Sequence, residues 1–139
     1  MKYIIRKIKK SDMNIVVSLL QQVSNFDPKI EFYDSIWKNF KAQKNYYAVV
    51  VETNISIVGY GCLSYSMNLR GGKIAYIEDI VCAQSFKRKG IGKAIMKELY
   101  DYAKKKGCYK LVLQCKKENK KFYEKCGYQI NGICMQKII

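Results

Sequence analysis

The stretch Tyr76-Ile-Glu-Asp-Ile-Val-Cys-Ala-Gln-Ser-Phe-Lys-Arg-Lys-Gly-Ile-Gly-Lys-Ala-Ile-Met-Lys-Glu-Leu99 runs from an apolar strand, through a basic glycine-bearing turn, into an amphipathic helix. The apolar run from Ile74 to Cys82 is broken only by Glu78 and Asp79 and stops at Gln84 and Ser85. Four cations follow, Lys87, Arg88, Lys89 and Lys93, with Gly90 and Gly92 among them. Ile91, Ile95, Leu99 and Tyr102 then recur at helical spacing, so a helix starts near Gly90 and its unpaired N–H groups face the turn. A helix start dressed with cations is a phosphate site.

Two common glycine loops fail on these residues. A P-loop needs glycine where Lys87 stands and a hydroxyl where Ala94 stands. The dinucleotide pattern begins correctly at Gly90 and Gly92 but meets Ile95 at its third glycine. What remains, basic-x-basic-Gly-x-Gly-basic-Ala after a strand, resembles the coenzyme A pyrophosphate loop of the GNAT N-acetyltransferases.

Three further segments narrow the resemblance: Gly107-Cys-Tyr-Lys-Leu-Val-Leu-Gln-Cys115, Glu118-Asn-Lys-Lys-Phe-Tyr-Glu-Lys-Cys-Gly-Tyr128, and Gly132-Ile-Cys-Met135. With Ile77-Glu-Asp-Ile-Val81 they look closely like the glucosamine 6-phosphate N-acetyltransferases, from about Tyr76 to Met135 and more faintly at Ile5-Arg-Lys-Ile8. The resemblance implies acetyl transfer from acetyl-CoA to the amine of glucosamine 6-phosphate, a step toward UDP-N-acetylglucosamine, without a metal. It implies that Lys87, Arg88, Lys89, Gly90, Ile91, Gly92 and Lys93 hold the pyrophosphate. Backbone groups of Ile80, Val81 and Cys82 would pair with the pantetheine arm, an exposed N–H at Ile80 would meet the oxyanion, and Asn119 and Phe122 would contact the coenzyme. Tyr123 matches the tyrosine beside the sulfur, where a phenol can protonate or hydrogen-bond the departing thiolate; the alternative is a half-buried packing tyrosine.

Glu78 and Asp79 are adjacent in a strand, so alternation sends them to opposite faces and turns at least one toward an interior or a cleft. The resembled family uses this pair for the sugar's hydroxyls and amine; the rival reading is a salt bridge to a lysine. Ser24 aligns with a substrate-contacting hydroxyl residue, and Arg70, Lys73, Tyr109 and Lys110 are further sugar-phosphate partners. Two positions depart from the pattern: Ile138 stands at the family's phosphate-binding arginine, and Gln114 at its carboxylate. The family is dimeric, with its last strands reaching the partner's site, which implies a homodimer. A GNAT enzyme acting on another primary amine, such as a polyamine or a protein N-terminus, is the second reading. A basic nucleic-acid or coenzyme-binding module is the third, and needs none of Glu78, Asp79 or Tyr123.

The remaining composition bounds these readings. A chain of 139 residues with 49% apolar residues and one proline fits one globular domain spanning residues 1–139. Twenty-six basic against eleven acidic residues give +15, favouring anionic partners without choosing among them. The absence of histidine removes histidine bases and most zinc sites. Six cysteines without a C-x-x-C read as reduced, buried thiols. No apolar run reaches signal-peptide or membrane-spanning length, so a cytoplasmic location is expected.

In chain order the pattern predicts a strand at Lys2–Ile8, then a helix capped by Ser11 or Asp12 that uses Ile15, Val16, Leu19, Leu20 and Val23. A second helix carries Phe32, Ile36, Trp37 and Phe40 as core residues. Strands follow at Tyr46–Glu52 and Ile57–Tyr65, then the central strand and helix, a strand at Leu111–Cys115, and a helix at Glu118–Lys125 ended by Gly127. A last strand is predicted over Tyr128–Ile138 with a bulge at Gly132. The fold class is α/β, a mixed, mostly antiparallel sheet flanked by helices, as the GNAT resemblance also implies.

Overall fold

A computed structural model describes all 139 residues. Five strands form one sheet in the order β1 (Tyr3–Lys7), β2 (Tyr46–Thr53), β3 (Ile57–Met67), β4 (Lys73–Cys82), β5 (Lys110–Leu113). Neighbours are antiparallel except β4 and β5, which run parallel. That parallel pair needs a crossover, and the crossover is the long helix α3 (Ile91–Lys105). The expected mixed, mostly antiparallel sheet is therefore present.

Each face of the sheet carries its own apolar layer. On one, Ile91, Ile95, Met96, Leu99 and Ala103 of α3 pack on Val49, Val51, Leu63, Ala75 and Ile77. On the other, Val16 of helix α1 (Met13–Leu20) covers Val50, Tyr60, Cys62 and Val81. The strands β2 and β3 read as near-continuous apolar runs because both of their faces are covered. A charged cluster closes the first turn of α1. Arg6 donates two hydrogen bonds to the Asp12 carboxylate at 2.8 and 2.9 Å and a third to Glu52 at 2.8 Å. Asp12 also accepts the Lys9 backbone N–H at 2.8 Å. The Arg6 guanidinium holds the Asp12 carboxyl below its ordinary 3.8. That stabilisation is present above the unfolded pKa and is lost as pH falls through the lower folded value.

Four expectations need correction. Helix α2 (Tyr33–Ala42) forms, but none of its residues is buried. Phe32 and Ile36 are exposed, and of the four expected core residues Phe40 alone packs on the apolar layer, edge-on to Tyr46 at 4.8 Å. The predicted strand at Tyr128–Ile138 does not form: residues 128–139 carry no regular structure and expose Ile130, Ile133, Met135, Ile138 and Ile139. Gly132, expected as a bulge, is a left-handed turn at φ 91° in that tail, and its neighbours pair with no strand of this chain. All six cysteines are free thiols, but Cys62 alone is buried, and Cys115 and Cys134 are exposed.

Candidate active site

The decisive local feature is a bulge in β4. Tyr60 pairs with Val81 and Cys62 with Glu78, so the single residue Gly61 faces two, Asp79 and Ile80. Asp79 takes up the extra length in the left-handed region at φ 58°, which Asp tolerates better than most residues. On β3, Gly61 leaves the room: a Cβ there would lie 2.6 Å from Ile95 and 2.7 Å from Ile80. The Glu78 carbonyl accepts the buried Cys62 thiol at 3.3 Å, and that sulfur accepts the Tyr46 hydroxyl at 3.0 Å. A sulfur buried in this way has its thiol pushed up to about 11 and stays protonated.

The bulge breaks the alternation expected for Glu78 and Asp79. Instead of facing opposite ways, both carboxylates line one cleft of about 670 Å³. Desolvation pushes the Asp79 carboxyl above its ordinary 3.8, and the chain's ion pairs lie elsewhere. No lysine neutralises either acid, so the salt-bridge reading of this pair fails.

The outer end of the same cleft is the turn into α3. Arg88 and Gly90 are both left-handed, at φ 62° and 83°, which coils the backbone into a concavity in front of the helix. Gly90 is the N-cap and offers no side chain, so the first-turn N–H groups stay open to an anion. Lys87, Arg88 and Lys93 line the cleft with Gly90, Ile91 and Gly92, and Ile80, Val81 and Cys82 form its strand wall. Lys89 does not: its ammonium sits 5.2 Å above the Phe86 ring. Across the cleft, Asn119, Phe122 and Tyr123 come from the end of a 3₁₀ turn and from helix α4 (Lys120–Lys125). Burial pushes the Tyr123 phenol up to about 12, assisted by Cys115 and Cys126.

Past Ile77 and Leu113 the parallel strands have no further register pairs. A second cavity of about 680 Å³ opens there, roofed by the tail and sharing Glu78, Gln114 and Tyr123 with the first. The Cys134 thiol donates to the Gln114 side-chain oxygen at 3.1 Å, tying the tail to the rim. Lys110 lines this second cavity, with Tyr76. Ser24, Arg70, Lys73 and Tyr109 line neither. Lys73 pairs with Met67 at the far end of β4, five residues and so about 16 Å from Glu78. Tyr109 lies beside it, donating its backbone N–H to the Lys73 carbonyl at 3.0 Å. Sequence reading missed Lys116, Lys125, Gln22 and Val23 on the first cleft. The lysines carry no signal beyond a charge run, and the other two only the helical period that also fits core.

The model of the acetyltransferase (GNAT) family matches residues 13–128. A glucosamine 6-phosphate N-acetyltransferase from Candida albicans is 31% identical over 96% of this chain and 93% of its own length. The chain belongs to the GNAT family, among the glucosamine 6-phosphate N-acetyltransferases. The Arabidopsis thaliana enzyme of that name is 47% identical over 66 residues, 48% of this chain and 44% of the relative. Its likeness is thus highest over one segment, while a crystal structure of the Arabidopsis enzyme superposes across 99% of both chains with a TM-score of 0.90 at 31% identity. This GNAT chain therefore carries the family's fold from end to end, and no helix in it is long and apolar enough to cross a membrane.

Proposed function

We propose that the chain transfers the acetyl group of acetyl-CoA to the amine of glucosamine 6-phosphate. The observation that carries this reading is the meeting of two cavities at Glu78, Gln114 and Tyr123, one entered past a cationic helix start and the other past Lys110. The coenzyme takes the first, with its pyrophosphate on the open N–H groups of α3 and its pantetheine arm along Ile80–Cys82. The amino sugar takes the second, with its phosphate toward Lys110 and its amine at the junction beside Glu78, facing Asp79 on the coenzyme side. Asn119 and Phe122 flank the coenzyme.

At the junction the sugar nitrogen attacks the thioester carbonyl, forming the C–N bond. Charge develops on the carbonyl oxygen, where the backbone N–H at Ile80, within the bulge, donates to it. The C–S bond then breaks and the electron pair leaves on sulfur. Tyr123 faces that thiolate. With its phenol near 12, full proton transfer to a thiolate whose conjugate acid is near 8.5 runs about 5 kcal/mol uphill, so Tyr123 acts as a hydrogen-bond donor. The proton lost by the attacking amine passes to Asp79 or to water. An amine with pKa near 8 is already roughly a tenth neutral at pH 7, so the carboxylate serves to take the proton during attack and not to deprotonate the ammonium beforehand.

We further propose a homodimer, supported by five exposed apolar residues in a tail that pairs with no strand of its own chain. Light scattering would read it. The substrate assignment is tested by coenzyme A release with glucosamine 6-phosphate, glucosamine and spermidine in parallel. Losing one charge-assisted phosphate contact is worth about 1.5–3 kcal/mol, so kcat/KM for glucosamine should fall roughly 10- to 100-fold. Equal specificity constants for the two sugars, or preference for spermidine, would refute it.

A further inference from the structure

The two glycines of the coenzyme turn are required for different reasons. Gly90 sits at φ 83°, and a Cβ there would meet nothing within 4 Å, so its requirement is conformational. Gly92 is the reverse. It is the second residue of α3 and is not among the residues of positive φ, so its backbone suits any amino acid. A Cβ there would stand 3.0, 3.4 and 3.9 Å from three carbons of the Phe122 ring. The ring fills the space a side chain would need.

Phe122 is joined to the residue the mechanism depends on. Its ring lies edge-on to Tyr123, with centroids 5.0 Å apart at 77°, and Tyr123 lies edge-on to Tyr128 at 6.2 Å and 76°. Tyr123, Cys126 and Tyr128 also pack, half-buried, against the apolar layer under α3. Helix α4 is six residues long, has no side-chain cap and buries none of its residues. The Phe122 ring against Gly92 thus ties the short helix carrying Tyr123 to the rigid helix that binds the coenzyme.

We propose that Gly92 is a positioning residue for Tyr123: by accepting the Phe122 ring at van der Waals distance it sets the phenol against the departing sulfur. This rests on the reading of Tyr123 as the sulfur's hydrogen-bond partner. A methyl group at position 92 makes the ring give by a few tenths of an ångström and shifts α4 with it, leaving the N–H groups of α3 in place. The coenzyme is bound as before, and the chemical step suffers.

The test is a cycle of Gly92→Ala, Tyr123→Phe and their combination, with kcat from steady state and acetyl-CoA Kd from calorimetry. Gly92→Ala should lower kcat about tenfold, the scale of a sub-ångström misplacement, with Kd within about twofold. In the Tyr123→Phe background it should lower kcat by less than about twofold, because the group it positions is gone. Phe122→Leu approaches the contact from the other side and should show the same loss of effect in that background, so the cycle can be read even if Gly92→Ala fails to fold. A raised Kd with unchanged kcat would assign Gly92 to the phosphate and overturn the inference, as would full additivity. Tyr123→Phe alone separates the two levels: full turnover there fails the sulfur role itself, whereas reduced turnover with additive effects fails only the positioning.

Discussion

The chain divides at Ala103 into two unequal regions. Every buried residue, from Asp12 to Ala103, lies in the first; residues 104–139, which bring Gln114 and Tyr123 to the site, bury none. The first region holds the open helix start, the Glu78–Asp79 bulge and the strand wall on two packed layers. The second region brings Gln114 and Tyr123 to the cleft on elements that are nowhere fully buried: Leu111, Leu113, Tyr123, Cys126 and Tyr128 pack half-buried against the first region, and the Cys134–Gln114 hydrogen bond and four register pairs between β4 and β5 add to the hold. The two regions therefore differ in how firmly they are held, and both contribute groups to the proposed site.

The largest effect expected is on stability. Leu99→Ala empties a fully buried site under α3 and should cost about 3–4 kcal/mol by denaturant unfolding, while Ile133→Ala in the tail should cost less than about 0.5 at a concentration where the chain is monomeric. Comparable losses would mean that the tail is folded onto its own chain and would erase the contrast. Next is the bulge. Asp79→Asn keeps a residue that tolerates φ 58° while removing the charge, so it isolates the carboxylate from the backbone. It should lower kcat/KM about 100-fold, far more than Gln114→Ala. In the parent enzyme the raised Asp79 pKa adds a proton on the acid side of the profile. The slope of log kcat/KM steepens from one to two below that pKa, and in Asp79→Asn it stays at one. An order reversed between the two variants would make Gln114 the principal substrate anchor.

Smaller effects sharpen the picture. Tyr123→Phe should lower kcat about tenfold, the value of one hydrogen bond to a developing anion, with acetyl-CoA Kd unchanged. Retained turnover would leave Tyr123 as packing. Gln114→Glu is expected to tighten the amino sugar by no more than about 1–2 kcal/mol, because its oxygen already serves the Cys134 thiol.

The two regions were also unequally legible in the sequence. Strand, turn and helix around Gly90 could be read because glycine, cations and helical period each mark a physical requirement at a fixed place. The Arg6–Asp12–Glu52 cluster could not, since it joins residues as far as 46 apart. Nor could the bulge, because glycine, its usual marker, is replaced by Asp79, and alternation then predicted the wrong face for one acid. The tail reads as a strand because its apolar residues suit one, yet a strand needs an edge to pair with. Arg70, Lys73 and Tyr109 read as cations and donors, but within this chain Lys73 and Tyr109 lie at the opposite end of β4 from the bulge and Arg70 lines neither cavity. Lys116 and Lys125 reach the cleft only through the docking of the α4 segment, which no local pattern encodes.

The central claim is that one cleft delivers acetyl from the coenzyme to an amino-sugar phosphate at the Glu78–Asp79 bulge. Incubation of the protein with ¹³C-acetyl-CoA and an equimolar mixture of glucosamine 6-phosphate, glucosamine and spermidine, followed by NMR, tests it most directly. The account predicts label predominantly as the amide on the C2 nitrogen of the phosphorylated sugar, at a rate that falls sharply in Asp79→Asn. Label on spermidine, or equal label on the two sugars, would contradict it.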